Sequence, residues 1–229
     1  MKGFFDNILN LESPTMIKAS RLGNLIVLNL LWLLCCLPIV TIGPATIAMN
    51  YVIFQYHTER SDVVLRPFFK SFRRDFRQGL MLGIPLTLLF CLMVFNGVYI
   101  TAASAERISP LWISFALLVL FLGALITYGF PLLARYDLTM SAVINNSLVF
   151  FLRNPKLSFS AMLLHYLPVV LILFLPDIFI KVSFLYVLLG GSAVAYVNNR
   201  ALLKIFDASQ AEADAAAEEA AREEAPQSE

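Results

Sequence analysis

"CCLPIVTIGPAT", residues 35–46, interrupts the first long apolar segment of the chain with Pro38, Gly43 and Pro44. Proline ends or kinks a helix because it lacks an N–H group and crowds the preceding turn. It suits the first turn of a new helix, where no N–H donor is needed, and glycine permits a tight backbone before it. The stretch therefore predicts a structural turn between two short antiparallel helices. These helices are expected at about 22–37 and 45–57.

The distribution of Lys and Arg supports this hairpin over a single kinked span. Membrane proteins concentrate basic residues in their cytoplasmic loops. If the turn reverses the chain, fourteen Lys and Arg before the acidic tail fall on one side of the membrane and two on the other; a single crossing gives eleven and five. The hairpin is therefore favoured, and it predicts cytoplasmic N- and C-termini. The charge count leaves open whether the two short helices cross the membrane or re-enter on the same side.

The composition is that of an integral membrane protein. Hydrophobic residues make up 59% of the 229 residues and charged residues only 14%, with a mean hydropathy of +0.75, against about 25% charged residues in a typical soluble domain. We predict an all-α, polytopic helix bundle in a bacterial cell membrane, built as a single domain of residues 1–205 with six apolar helices. The four helices after the hairpin, each long enough to cross a hydrocarbon core of about 30 Å, are expected at about 80–105, 110–134, 159–176 and 178–197.

"RPFFKSFRRDFRQG", residues 66–79, alternates aromatic and basic residues at helical spacing. A helix with an aromatic face and a basic back lies in the membrane interface and is attracted to anionic lipid, or it offers a docking surface to a protein partner. No base-stacking fold accompanies it, so nucleic acid is not an expected partner. Interfacial helices are predicted on the cytoplasmic side at about 3–12, 67–78 and 139–153. The candidate membrane-surface or partner contacts are Phe68, Phe69, Phe72, Phe76, Lys70, Arg73, Arg74 and Arg77.

A similar but weaker pattern occurs in "SLVFFLRNPKLSFSAMLLHYLP", residues 147–168. Paired Phe residues, then basic residues, then a span with an internal proline occur in both places. This order suggests two related units, at about 61–134 and 141–197, each an interfacial helix followed by a two-helix hairpin. The chain ends in an acidic Ala/Glu-rich tail, residues 206–229, which is expected as a solvated helix or a disordered extension.

No catalytic, cofactor or metal site is predicted. The three cysteines lack metal-ligand spacing, and no Asp, Glu, Lys or Arg lies in the middle of an apolar stretch, where coupled transporters carry their ionisable groups. Asn24, Asn29 and Asn50 are expected to form hydrogen bonds between the two short helices. His165 and Ser192 could form an intramembrane hydrolase pair, but no residue pattern orients them. We therefore expect a protein that is not an enzyme.

"LGNLIVLNLLWLLCCLPIVTIGPATIAMNYV", residues 22–52, followed by "FFKSFRRDFRQG", residues 68–79, resembles the YesL-like family of small bacterial membrane proteins, a domain of unknown function. The resemblance covers nearly all of residues 1–205. Members of that family are typically encoded beside sugar-binding proteins, permeases and glycoside hydrolases. The resemblance therefore implies a non-catalytic accessory subunit of a carbohydrate (oligosaccharide) ABC importer, with the permease subunits as partners and the ATPases as further candidates. A self-sufficient channel or facilitator for a small solute is the alternative.

Overall fold

The computed structural model of the chain describes residues 14–58, 63–103 and 110–224. These ranges are helical and contain no strand, so the predicted all-α class is confirmed. The interfacial helix predicted at 3–12 lies outside the described residues. The helices are α1 (Pro14–Cys36), α2 (Ile42–His57), α3 (Leu65–Arg74), α4 (Phe76–Ala103), α5 (Pro110–Ala124), α6 (Phe130–Arg135), α7 (Met140–Arg153), α8 (Pro155–Phe174), α9 (Pro176–Leu185) and α10 (Gly191–Glu224).

Two π-helical segments connect helices without a break. Leu125–Gly129 joins α5 to α6, and Tyr186–Gly190 joins α9 to α10. Five helical stretches in the described ranges are long and apolar enough to cross a membrane, which fits a membrane location, and Ser20–Cys36 is a shorter apolar helix. The five are Ile39–His57, Phe76–Tyr99, Trp112–Arg135, Pro155–Ile172 and Pro176–Glu219.

Several of the expected helix boundaries differ from the observed ones; α1, for example, begins at Pro14 and not at 22. The helix expected at 67–78 ends at Arg74, because Asp75 leaves the helical conformation (φ −98°, ψ 10°) while its N–H still donates to the Ser71 carbonyl. Phe76 therefore opens α4. At the other end of the chain, α10 continues through residue 206, where the tail was expected to begin, because Phe206 is fully buried in the core.

The hairpin of α1 and α2 lies beside the beginning of α4. Its turn is a short 3₁₀ segment, Ile39–Thr41, which contacts α4. A Cβ atom on Gly83 would lie 2.7 Å from the Cα atom of Gly43, so the two backbones touch there. From Gly83 to the end of α4 at Ala103 the helix rises about 30 Å. The turn therefore lies well short of the far end of α4.

The far halves of the long helices form two protruding hairpins. The first pairs α4 with α5, in which the Asn96 amide donates to the Ser114 hydroxyl (3.4 Å) and Gly97 contacts Phe115. The second pairs α8 with α9. Both carry apolar side chains that are mostly exposed, such as Phe95 (68%) and Phe184 (73%). The buried core is concentrated at the opposite end, around α2, α6, α7 and residues 192–206 of α10.

The two related units expected from the sequence, at about 61–134 and 141–197, have the same order of helical elements. The first runs through α3, α4, α5, a π-helical segment and α6; the second runs through α7, α8, α9, a π-helical segment and α10. One residue separates the first two helices of each unit, and the second helix of each contains a proline, Pro85 or Pro168. Each π-helical segment ends in glycine. The chain therefore repeats a supersecondary arrangement.

Candidate functional site

Helix α3 is anchored to the core by one face. Phe68 and Ser71 are fully buried, and Asp75, which follows the helix, is 4% exposed. The Asp75 carboxylate accepts hydrogen bonds from the Ser71 hydroxyl (2.8 Å) and from the Nε and Nη2 atoms of Arg74 (2.8 and 2.9 Å). The hydrogen bond to Asp75 raises the pKa of Arg74. These contacts fix the angle between α3 and α4.

The predicted contact residues of this segment divide into two groups. Phe68 belongs to the core and not to the surface, which corrects the expectation that the whole aromatic stripe faces lipid or a partner; Phe72 is partly buried and stacks on it. Arg74 is half exposed, but it is bound to Asp75 and lies 5.0 Å from the centre of the Tyr51 ring. The exposed members are Phe69, Phe76, Lys70, Arg73 and Arg77. We refer to Lys70, Arg73 and Arg77 as the basic face.

The predicted turn residues contribute in a way that the sequence reading missed. Pro38 precedes the 3₁₀ segment in an extended conformation (φ −76°, ψ 115°), whereas Gly43 and Pro44 already lie in the first turn of α2. Their importance is in packing: Gly79 and Gly83 form a G-x-x-x-G pattern on α4, and a Cβ on Gly79 would lie 2.6 Å from the Cα of Pro44. Small residues of this spacing let helix backbones approach closely.

A cavity of about 220 Å³, with a mainly apolar surface, lies between α1, α2, the two π-helical segments, α6, α8 and α10. Among the described residues that line it none carries a formal charge at neutral pH, apart from the titratable ring of His165. Its polar lining is Thr46, Asn50, Thr127, His165, Asn198 and Asn199.

Asparagine side chains connect the hairpin of α1 and α2 to the last helix. Asn199 Nδ2 donates to Asn50 Oδ1 (2.9 Å), and Asn50 Nδ2 donates to the Thr46 carbonyl (2.7 Å). Asn29 Nδ2 donates to the Val187 carbonyl (2.7 Å), while Asn29 Oδ1 accepts from the Ser192 N–H (2.9 Å). Asn29 and Asn50 therefore bind the second π-helical segment and α10, and not each other's helix as expected. Between α1 and α2, the Trp32 Nε1 atom donates to the Thr46 hydroxyl (3.2 Å).

His165 and Ser192 have other partners. The Ser192 hydroxyl donates to the Leu25 carbonyl (2.9 Å), and the Nδ1 atom of His165 lies 2.9 Å from the Ala161 carbonyl and 3.2 Å from the Asn198 amide. The two side chains thus serve helix packing and the cavity wall. Within the described ranges, no group of three His, Cys, Asp or Glu side chains is placed to hold a metal ion.

The first part of the chain is similar to a known protein family. Residues 25–97 match the family model described as "Protein of unknown function, DUF624". The matched segment begins in α1 and ends in α4, so it includes the hairpin turn, the buried glycines and the basic face. No curated protein and no solved structure shows a significant match to the chain.

Proposed function

We propose that the protein is a non-catalytic accessory subunit of a carbohydrate ABC importer in the bacterial cell membrane, of the YesL-like kind that its sequence resembles. In this proposal both termini and α3 lie in the cytoplasm. The observation that carries it is the basic face, because α3 is held rigidly by its buried side and presents Lys70, Arg73 and Arg77 outward. A fixed array of cations is suited to an acidic partner surface next to the membrane.

The apolar hairpins α4–α5 and α8–α9, at the other end of the bundle, also support this proposal. Their side chains are mostly exposed in the isolated chain, so lipid or the helices of another membrane protein must cover them. An importer whose permease subunits are themselves helical offers such a surface. Small residues and interhelical hydrogen bonds, rather than burial alone, would fix the contact, because lipid is as apolar as a helix.

The test is affinity purification of the tagged chain from its native membrane in mild detergent, followed by identification of the co-purified proteins. We expect permease and ATPase subunits of one importer. Lys70→Glu should reduce their recovery, whereas Lys204→Glu, at another exposed lysine, on α10, should not. Repeated recovery of the chain alone, as a homo-oligomer, would exclude the accessory role.

A self-sufficient channel or facilitator for a small solute is the second candidate. The observation that favours it is the cavity of about 220 Å³ with several polar side chains in its wall, since an accessory subunit that only packs against a permease has no use for one. Proteoliposomes that contain this chain alone should then show solute flux. Flux without any importer subunit would support the facilitator, and co-purification without flux would support the accessory subunit.

A further inference from the structure

We propose that a groove in the surface of the bundle binds one anionic phospholipid, with an acyl chain in the groove and the phosphate at Arg21 and Arg200. The groove lies between α1, α8, α9, the second π-helical segment and α10, and we call it the lipid groove. The proposal depends neither on the importer association nor on which side of the membrane faces the cytoplasm.

The surface of the lipid groove is almost entirely apolar, and its volume is about 470 Å³. Leucine side chains of α1, α8 and the π-helical segment line it, among them Leu25, Leu164 and Leu189. Small residues keep it open, because Gly190 and Ala193 lie about one helical turn apart in its wall. Such a surface offers no hydrogen bonds to a polar ligand, and it suits a hydrocarbon chain.

The size of the lipid groove distinguishes an acyl chain from a partner helix. Its lining includes Phe179 on α9 and Val197 on α10, which continuous helix connects over a length of about 25 Å. A helix of that length, about 10 Å wide with its side chains, occupies about 2,000 Å³. The groove is far smaller, so a transmembrane helix of a partner cannot lie in it. A single acyl chain is thinner than a helix, and the surrounding bilayer supplies it.

Two arginines lie at one end of the lipid groove. Arg21 precedes Leu25 by one turn of α1, and Arg200 follows Tyr196 by one turn of α10; Leu25 and Tyr196 both line the groove. Residues four positions apart lie on the same face of a helix. The ring of His57, at the end of α2, lies 4.5 Å from the Tyr196 ring and interacts electrostatically with both arginines. The two guanidinium groups are therefore directed to the same end of the groove.

The charge of these arginines is not balanced by the part of the chain that the structure describes. Arg21 is partly buried and Arg200 is exposed, and neither forms an ion pair with a described carboxylate. A phosphate between them would accept charge-assisted hydrogen bonds, for which the planar guanidinium group is well suited. Basic pockets between membrane helices bind lipid headgroups in the same way. A phospholipid therefore satisfies the apolar groove and the cations at its end together.

The experiment is native mass spectrometry of the full chain in an uncharged detergent, titrated with phosphatidylglycerol, with phosphatidylcholine of the same acyl chains, or with glycerol phosphate. We expect one phosphatidylglycerol bound per chain at saturation, weaker binding of the zwitterionic phosphatidylcholine, and no retention of glycerol phosphate. Equal affinity for the two lipids would overturn the proposal, because the arginines would then not select the headgroup. Binding of glycerol phosphate as tight as that of the lipid would show an anion site without a role for the groove.

Substitution of the arginines tests the headgroup end of the site. Arg21→Gln should raise the Kd for phosphatidylglycerol about fivefold, and the double variant with Arg200→Gln about 30-fold, with little change for phosphatidylcholine. Lys156→Gln is the control, since Lys156 is an exposed cation at the start of α8 and does not line the groove. An unchanged Kd in the double variant, or the same rise in the Lys156 variant, would contradict a phosphate site at Arg21 and Arg200.

A larger side chain in the groove tests the acyl-chain end. Ala193→Phe should reduce the retention of both lipids, because the ring occupies the space of the chain. Ala116→Phe is the matched control, on the exposed surface of α5 away from the groove. Equal retention of lipid by the two phenylalanine variants would show that the chain does not lie in the groove. The arginine variants, which change no packed residue of the groove, test the proposal even if Ala193→Phe disturbs folding.

Discussion

Asn50 and Asn199 face each other in the interior of the bundle, and the Nδ2 atom of Asn199 donates a hydrogen bond of 2.9 Å to the Oδ1 atom of Asn50. The two residues are 149 positions apart, and both are almost completely buried. The bond therefore fixes the hairpin of α1 and α2 against the last long helix. It also orients the Asn199 amide, whose Oδ1 atom is buried and has no hydrogen-bond partner among the described residues.

Loss of this pair should destabilise the bundle in a non-additive way. Asn50→Ala removes the acceptor and leaves the Asn199 amide without either partner, so most of the loss should already be present in the single variant. Hydrogen bonds between membrane helices contribute about 0.6–2 kcal/mol. A double-mutant cycle with Asn199→Ala, measured as the free energy of unfolding in mixed micelles, should give a coupling of that size. Strictly additive effects would show that the bond does not connect the helices.

The contact of Gly83 with Gly43 predicts opposite effects for two substitutions of glycine by alanine. Gly83→Ala places a Cβ atom 2.7 Å from the Cα of Gly43, so α4 must move away from α2, at a cost of about 1–3 kcal/mol. Gly23→Ala is the matched control, because no atom lies within 4 Å of its added Cβ. Alanine is the better helix former by about 1 kcal/mol, so Gly23→Ala should leave the thermal stability unchanged or raise it. A similar response of both variants would contradict the close contact.

The carboxylate of Asp75 should be necessary for the position of α3. Asp75→Ala leaves the buried Ser71 hydroxyl without its acceptor and Arg74 without its bidentate partner, and a buried group left unpaired costs about 1–3 kcal/mol. We expect a lower unfolding temperature and faster proteolysis at the α3–α4 junction. Asp214→Ala, on the exposed part of α10, is the control. Unchanged proteolysis in the Asp75 variant would mean that Phe68 alone anchors α3.

The depth of the hairpin turn in the membrane can be tested by labelling single cysteines at three positions. In a background without the native cysteines, Lys70→Cys and Lys181→Cys lie on exposed surfaces at opposite ends of the bundle. Each should react with a membrane-impermeant reagent from one side only, Lys70→Cys from the cytoplasm under the proposed orientation. Val40→Cys, in the turn, should react from neither side, because the turn lies well short of the far end of α4. Labelling of Val40→Cys at the rate of Lys181→Cys would show a hairpin that crosses the membrane.

Apolar length and turn chemistry made the helices and the hairpin reversal predictable from sequence. The interruption around Pro38 shows this, and so does the apolar face of the helix at 140–153, expected at 139–153. The partners of Asn29 and Asn50 were not predictable, because hydrogen-bonding side chains give no indication of which distant helix will lie opposite them. The cavity was missed for the same reason: its polar residues are spread over four helical segments. The G-x-x-x-G pattern that begins at Gly79 could have predicted the close contact between α4 and α2 from the sequence.

The position of Phe206 gives the last prediction, on where the folded domain ends. Its ring lies 5.4 Å from that of Phe150 and 6.0 Å from that of Tyr136, and the side chain is 1% exposed. Phe206→Ala should therefore cost about 3–5 kcal/mol, as expected for truncation of a buried aromatic residue. Phe184→Ala, on the exposed outer hairpin, should cost far less.

Two truncations of the chain test the same boundary without a side-chain substitution in the core. Removal of residues 215–229 keeps the ion pair of Asp207 with Arg135 and the contact of Glu212 with Arg153, so the unfolding temperature should match that of the full chain. Removal of residues 206–229, the whole acidic tail as it was delimited from sequence, also deletes the Phe206 ring and should reduce both the yield and the unfolding temperature. If the longer truncation is as stable as the shorter one, the core does not require the first turns of the tail.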